Sequence, residues 1–428
     1  MAHERLSRRQ YITATGVIGG ISLTGLSGYL SDGGVQEETL EIVHWWTAGG
    51  EEEAIESLLD GYQEANPNVE IDNNPAPGGA GSALDVAIRS RIVDETPPST
   101  FQIWPGESLR PYTDAGVLAS VEDIWDDNMR DAYLESVMEA ASPEDELVSV
   151  PINIHRLNNL FYNVEVVEDA GIDPEGIEDP ADVLEALEAA DDAGYVGMAH
   201  QTTTEWSTVQ LWETVFVGQH GADVFEAYIA GETDDLEDEV RESLDLVVDY
   251  SEYFSPDAGA IAWDEGNAQV INGDAAFIHQ GDWAAGQYGE AEFEYAEEWD
   301  YVPYPGTEGV YSMVMDSFVM PEPNPSPEAT EAFLEYCGTV DAQERFNPIK
   351  GSIPPRTDVP IDEFPPFLQN QMEDFEASEE QPTTIAHGSA VRPEIKSEIE
   401  EAFSRFIETW DVEETTQDLL GAHEAAGY

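Results

Sequence analysis

Leu40, Ile42 and His44 alternate with Glu41 and Val43, the period of a short strand, and Trp45-Trp46 end it. After the turn Thr47–Gly50, apolar Ala54, Ile55, Leu58, Leu59 and Tyr62 recur at helical spacing until Asn66-Pro67 stops the helix, and Val69–Ile71 opens a second strand. Strand, helix and strand in so short a span predict a βαβ unit and therefore a parallel sheet. A second helix over Leu84–Val93 leads to a strand at Phe101–Ile103. Pro151–His155 reads as extended chain, and a second alternating series follows. In it Asp182–Ala193 is helical, Tyr195–Met198 extended, Thr208–Val217 an amphipathic or buried helix, and Ala275–His279 a strand preceded by Asn267–Asn272. Ala329, Ala332, Phe333, Tyr336 and Cys337 share one helical face, so the single cysteine is expected to be a buried structural thiol, and no intrachain disulfide can form.

At ~150 residues per domain, the 428 residues predict two or three lobes, or one large two-lobed body. There is no internal repeat, low-complexity linker or Gly/Ser joint, so two lobes must be linked by several ordered crossings.

Charge changes the picture. Asp and Glu number 91 against 15 Lys and Arg, a formal charge of −76, while 41% hydrophobic and 10% aromatic residues argue for a folded chain over a disordered one. Such a balance excludes nucleic acid as a partner, since phosphate binding needs clustered Lys and Arg, and it argues against a basic patch docking on anionic lipid. The compact state tolerates this self-repulsion where salt screens it, at molar concentrations over ~3 Å. A very salty environment is the reading. The acidic runs Glu232–Glu242 and Glu373–Glu380 are expected to be solvated faces or loops.

Residues 1–38 read as targeting. Arg8-Arg9, preceded by Arg5, stand before a weakly apolar, Gly-rich run, the pattern of a twin-arginine export signal. Leu26-Ser27-Gly28-Tyr29 looks like a lipoprotein box with tyrosine in place of the acylated cysteine, and residues 31–39 like a polar tether. Export to the outer face of the cell membrane, or secretion, is expected; whether the leader is cleaved stays open.

Catalytic and metal motifs are scarce. There is no Walker loop, dinucleotide fingerprint, Gly-x-Ser-x-Gly elbow or His-Glu-x-x-His, and with so many carboxylates an acid/base pair has no diagnostic spacing. Gly78-Gly79-Ala80-Gly81 lacks the Lys-Ser/Thr of a phosphate loop and reads as a turn or a backbone wall. No catalytic residue, metal or cofactor is predicted. Tryptophans in polar company stand out instead. Trp45-Trp46 follows one strand, and Gln102-Ile103-Trp104 ends another. Trp263 precedes Asp264-Glu265, and Trp283 closes His279-Gln280-Gly281-Asp282. Strand ends are where open α/β sheets bind ligands, and flat aromatic faces with a few directed polar groups suit a polyhydroxylated ring. Only two lysines are present, Lys350 and Lys396. Lys350 lies between Pro348 and Gly351, where no helix surface calls for it. It is either a structural ion-pair partner or an ammonium donating to substrate hydroxyls.

The segments LEIVHWWTAGGE, GGAG, TPPSTFQIWPG, VSVPINIHR, GDWAAG, PGTEGV, MDSF, FNPIKGSIPPR and AHGSAV, in this order from Leu40 to about Phe406, resemble the family 1 extracellular solute-binding proteins of ABC sugar importers. The likeness is greatest to the glucose- and monosaccharide-binding members, in a haloarchaeal form. The resemblance implies an α/β, two-lobed periplasmic-binding-protein-like fold of class II, with multiple hinge crossings and closure over a sugar. Lobe 1 would comprise 39–150 plus 313–345, and lobe 2 151–312 plus 346–428. Carried over, the sugar-binding set is Trp45, Trp46, Glu51, Gln102, Trp104, His155, Trp263, Trp283, Asp316, Lys350 and His387. Trp104 departs from the pattern, standing where the nearest members carry histidine. The implied partners are a small sugar and membrane permease subunits, with the receptor a monomer and not an enzyme. A secreted glycoside-processing enzyme and an oligosaccharide receptor are the alternatives.

Overall fold

The computed structural model describes residues 39–76, 81–143 and 146–427. The Arg8-Arg9 leader, the Leu26–Tyr29 box, the tether to residue 38 and Gly78–Ala80 lie outside the described residues.

The strands are β1 (Thr39–His44), β2 (Glu70–Pro75), β3 (Thr100–Ile103), β4 (Ser149–Pro151), β5 (His155–Arg156), β6 (Asn159–Asn163), β7 (Val196–Met198), β8 (Ala275–Gln280), β9 (Trp299–Pro303), β10 (Met313–Val314) and β11 (Ser317–Val319). A first sheet runs β2-β1-β3-β11-β4 and a second runs β7-β8-β6-β9. The expected βαβ unit is present, with β1 parallel to both β2 and β3. Neither sheet is wholly parallel. β11, antiparallel to β3 and β4, is inserted by a chain returning from the second lobe, and β6 is antiparallel to β8 and β9.

Each sheet has its own core. Helix Glu51–Ala65 buries Ala54, Ile55, Leu58, Leu59 and Tyr62 on the face the periodicity marks. The Tyr62 hydroxyl donates at 3.0 Å to the Ala329 carbonyl of helix Pro327–Cys337, whose Cys337 is fully buried. Burial pushes the Cys337 thiol well up, which leaves it inert. In the second lobe helix Trp206–His220 is buried continuously from Ser207 to Val217, and Trp212 and Phe216 pack with Tyr228 and Phe403.

The chain passes between the sheets three times. It goes from β4 to β6 through β5, from β9 to β11 through β10, and from helix Val340–Lys350 through residues 351–354 to Phe364 and Phe367, which pack in the second lobe. The three passes hydrogen-bond to one another, β5 to β10 and Ile154 to Ile353, the latter at 2.8 and 3.0 Å. The expected lobe boundary between residues 345 and 346 falls inside helix Val340–Lys350, whose Phe346 packs on Trp46 of the first lobe. Lys350 is therefore the last residue of a helix, which corrects the expectation of a non-helical setting. In the acidic run Glu373–Glu380, Glu373, Glu376 and Glu379 are exposed as expected, and Asp374 is partly buried. Asp374 pairs at 2.7 Å with the buried hinge residue Arg156, which also lies over the Tyr311 ring.

One buried carboxyl ties the second core to the cleft. Glu213, in helix Trp206–His220, accepts the Ile385 N–H at 2.7 Å, and burial pushes its pKa up to about 8. Between its ordinary value of 4.5 and about 8 the folded chain holds a proton that the unfolded chain has released, so Glu213 lowers stability as pH rises through that window. Glu213→Gln is expected to remove a slope of up to ~1.4 kcal/mol per pH unit. Urea melts of both proteins from pH 5 to 8 check this, and parallel stability curves would contradict it.

Candidate functional site

The ends of β1 and β3, the hinge, and the loops after β7 and β8 converge on one cavity of about 270 Å³, near the lower end of the ~300–1,000 Å³ usual for small-molecule sites. Of the residues expected from sequence, Trp45, Trp46, Glu51, Trp104, His155, Trp263, Trp283, Asp316, Lys350 and His387 all line it. Gln102 does not. It is fully buried behind the wall, where Oε1 accepts the Trp45 N–H at 3.1 Å and Nε2 donates to Asp316 Oδ1 at 2.9 Å. Its position one residue inside the end of β3 turns the amide toward β1 and the segment before β11, so it positions the wall without forming it.

The walls are aromatic. Trp45 and Trp104 from the first lobe lie 4.8 Å apart between ring centroids. The Trp104 ring meets the His387 ring of the second lobe edge-on at 5.2 Å, and Trp283 lies 5.6 Å from His387 and 5.2 Å from His155. Trp46 is the most buried of them, packed against Phe318 and Phe346. The close junction of lobes at this wall requires glycine. A Cβ on Gly50 would come within 2.8 Å of the Ile349 carbonyl and 3.2 Å of the Gly286 backbone, so no larger residue fits there.

The polar groups form one connected set across the hinge. Asn153 donates to Asp316 Oδ2 at 2.8 Å, its amide nitrogen lies 3.0 Å from His155 Nε2, and the Asp316 N–H donates to Asn153 Oδ1 at 2.7 Å. On its other side His155 Nδ1 bonds Asp282, whose Oδ2 accepts the Arg156 N–H at 3.0 Å. His155 thus sits between two buried carboxylates, Asp282 at Nδ1 and Asp316, whose Oδ2 lies 3.6 Å from Nε2. Lys350 Nζ lies 3.1 Å from Glu51 Oε1 and 5.8 Å from the Trp283 ring centroid. The ion-pair reading of Lys350 is thus met, by a partner that also lines the cavity.

Environment sets the charges. Burial raises Glu51 above the usual carboxylate range, opposed by Lys350 and by its place in the first turn of a helix. Burial likewise raises Asp282, against the pull of His155. Burial works against the Asp316 carboxylate too, yet His155, Lys350 and Asn153 together hold it below the usual range. His387 is pushed down to about 3 by burial and by Lys396, so its imidazole is neutral at ordinary pH. The cavity therefore presents carboxylates at Glu51, Asp264 and Asp316 and a single ammonium at Lys350.

Sequence reasoning missed Gln201, Thr203 and Thr204 on the loop after β7, Trp206 at the start of the helix that follows, and Asp282 behind His155. A signal for the loop was present, since Gln-Thr-Thr-Thr-Glu-Trp after a strand is again tryptophan in polar company. Asp282 adjoins Trp283 but is hidden among many carboxylates. Among the described residues no cluster of His, Cys, Asp and Glu is arranged to hold a metal, and no helix is long and apolar enough to cross a membrane.

Residues 48–344 match the family model for bacterial extracellular solute-binding proteins. The chain is 36% identical over 398 residues to a xylose/arabinose-binding protein of Haloferax volcanii, covering 92% of this chain and 86% of that one. It is 35% identical over 412 residues to an uncharacterised ABC transporter extracellular-binding protein of Pyrococcus horikoshii, covering 96% and 92%. Among solved structures, a bacterial solute receptor with an exclusive preference for β-D-galactopyranose superposes with a TM-score of 0.78 at 16% identity, covering 91% of this chain and 98% of that one. A chitin oligosaccharide binding protein gives 0.77 at 18%, covering 92% and 100%.

Proposed function

Since the chain belongs to the bacterial extracellular solute-binding protein family, we propose that it is an extracellular receptor for a neutral monosaccharide, glucose or a related aldose, which it delivers to an ABC-type membrane importer. The observation that carries this reading is the composition of the cavity: tryptophan faces from both lobes around Glu51, Asp316, Lys350 and a neutral His387. Aromatic planes take the C–H faces of a pyranose, carboxylates accept its hydroxyl protons, and the ammonium and imidazole bond its oxygens. Three carboxylates against one ammonium disfavour an anionic ligand such as a uronic acid. The small volume favours a single ring over a chain. Nothing is turned over; binding energy shifts a hinged body toward its closed form, which the permease recognises.

Export by the twin-arginine route and function at high salt complete the proposal, resting on Arg8-Arg9 and on the net charge of −76. The test is calorimetry and thermal melting in multimolar KCl against glucose, galactose, xylose, arabinose and their disaccharides, the pentoses entering through the Haloferax relative. A sugar at ~100 times its dissociation constant stabilises by ~2.7 kcal/mol. Absence of any shift across the panel, or hydrolysis of a disaccharide, would overturn the reading. Trp104→His keeps a ring at the wall and adds a hydrogen-bonding edge, so it is expected to change the ranking of sugars by roughly tenfold in relative affinity. An unchanged ranking in the same titrations would place Trp104 outside the specificity contacts.

A further inference from the structure

The loop carrying Trp104 and the loop carrying His387 are joined by more than their rings. Ser108 Oγ donates to the Gly388 carbonyl at 2.7 Å, and the Glu107 N–H donates to the Ser389 carbonyl at 3.1 Å. Arg392 lies 3.2 Å from Asp114 and 3.7 Å from Glu107. Gly106, at φ +93°, lets this happen, because a Cβ there would stand 2.7 Å from the Ser389 carbonyl oxygen. Residues 106–114 belong to the first lobe, where Leu109 and Tyr112 are in its core. Residues 385–395 belong to the second, through Ile385, Val391 and Ile395.

Both loops are braced from behind. The Gly106 N–H donates to the Ala140 carbonyl at 2.9 Å, and Glu213 holds the Ile385 N–H at 2.7 Å. None of Gly106, Glu107, Ser108, Gly388, Ser389 or Arg392 lines the cavity, although their neighbours Trp104 and His387 do. The bonds therefore join lobe to lobe without passing through a ligand.

The geometry points to a clasp: Ser108, Glu107 and Asp114 on one lobe and Gly388, Ser389 and Arg392 on the other seal one end of the cleft behind the Trp104–His387 wall and so limit how far a ligand extends toward that end. The clasp has two consequences. It biases the free receptor toward closure, which raises affinity for a ligand that fits. It also leaves no exit at that end for further sugar units, so a linear chain that would extend past the Trp104–His387 wall is rejected. This inference rests on the sugar-receptor reading for its ligand and on the lobe contacts alone for its mechanics.

The test uses the full chain carrying Ser108→Ala with Arg392→Gln, both partly exposed positions, in multimolar KCl. Scattering of the sugar-free protein is expected to show a larger radius of gyration than the unaltered receptor. Affinity for the preferred monosaccharide is expected to fall roughly tenfold, mostly through faster dissociation, while binding of the linear trisaccharide of that sugar is gained. Arg392→Lys, which keeps the charge, is expected to restore much of the monosaccharide affinity. An unchanged ratio of monosaccharide to trisaccharide affinity overturns the length limit. An unchanged radius of gyration overturns the clasp itself. If neither protein binds any sugar, the receptor reading fails and the scattering comparison still decides the clasp.

Discussion

Lys350→Met is expected to lose sugar affinity by roughly ten- to a hundredfold, the ~1.5–3 kcal/mol of a hydrogen bond to a charged group, and to destabilise the free protein at the same time. The second effect follows from the buried pair. Lys350 is 2% exposed and its partner Glu51 13% exposed, at 3.1 Å. Removing one member of a buried pair leaves the other uncompensated, at a loss of ~3–5 kcal/mol. Glu51 already has a raised pKa because of burial, with Lys350 opposing. Without Lys350 it takes up a proton more readily, so the variant's deficit is expected to shrink as pH falls. Adding Glu51→Gln is expected to recover stability at neutral pH without recovering affinity. Denaturant melts at pH 5 and 7.5, together with calorimetry of the single and double variants, separate the two roles. Recovery of both properties in the double variant would make Lys350 purely structural.

Asp316→Asn is expected to reduce affinity by about a hundredfold and stability by ~1–3 kcal/mol. Asp316 receives Gln102 Nε2 on one oxygen and Asn153 Nδ2 on the other. Whichever way the new amide turns, its NH₂ faces a donor, and a buried donor is left unsatisfied. The charge proposed to accept a hydroxyl proton is lost as well. Asp316 is held below the usual carboxylate range, so in the unaltered protein its contribution to binding is expected to persist well into acid. Titrations from pH 4 to 7 test this, and near-normal affinity in the variant would remove Asp316 from the sugar contacts.

Much of the site was legible because its residues are chemically unusual for this chain. Trp45, Trp104, Trp263 and Trp283 stand at the ends or beginnings of elements beside polar residues, and all four line the cavity. Lys350 is conspicuous in a chain with two lysines. Glu51, His155, Asp316 and His387 entered only through a family resemblance, since a single carboxylate or imidazole in this composition has no local signature. Gln102 was assigned to the wall because it lies at a strand end, yet the side-chain alternation of β3 turns it into the sheet toward Asp316. Trp206 and its threonine loop were missed although they carry the same local pattern.

The sequence by itself determined the local elements and the charge: the βαβ opening, the buried helical faces of Glu51–Ala65 and Pro327–Cys337, and a strongly acidic body. These are local because periodicity and turn chemistry act over a few residues. The tertiary structure decided the rest. β11 enters the middle of the first sheet from a distant part of the chain, Lys350 meets Glu51, and the loops of Trp104 and His387 are bonded across the cleft. Each of these joins residues far apart in the chain. Their pairing depends on which burial the whole molecule achieves, and no spacing along the chain encodes that.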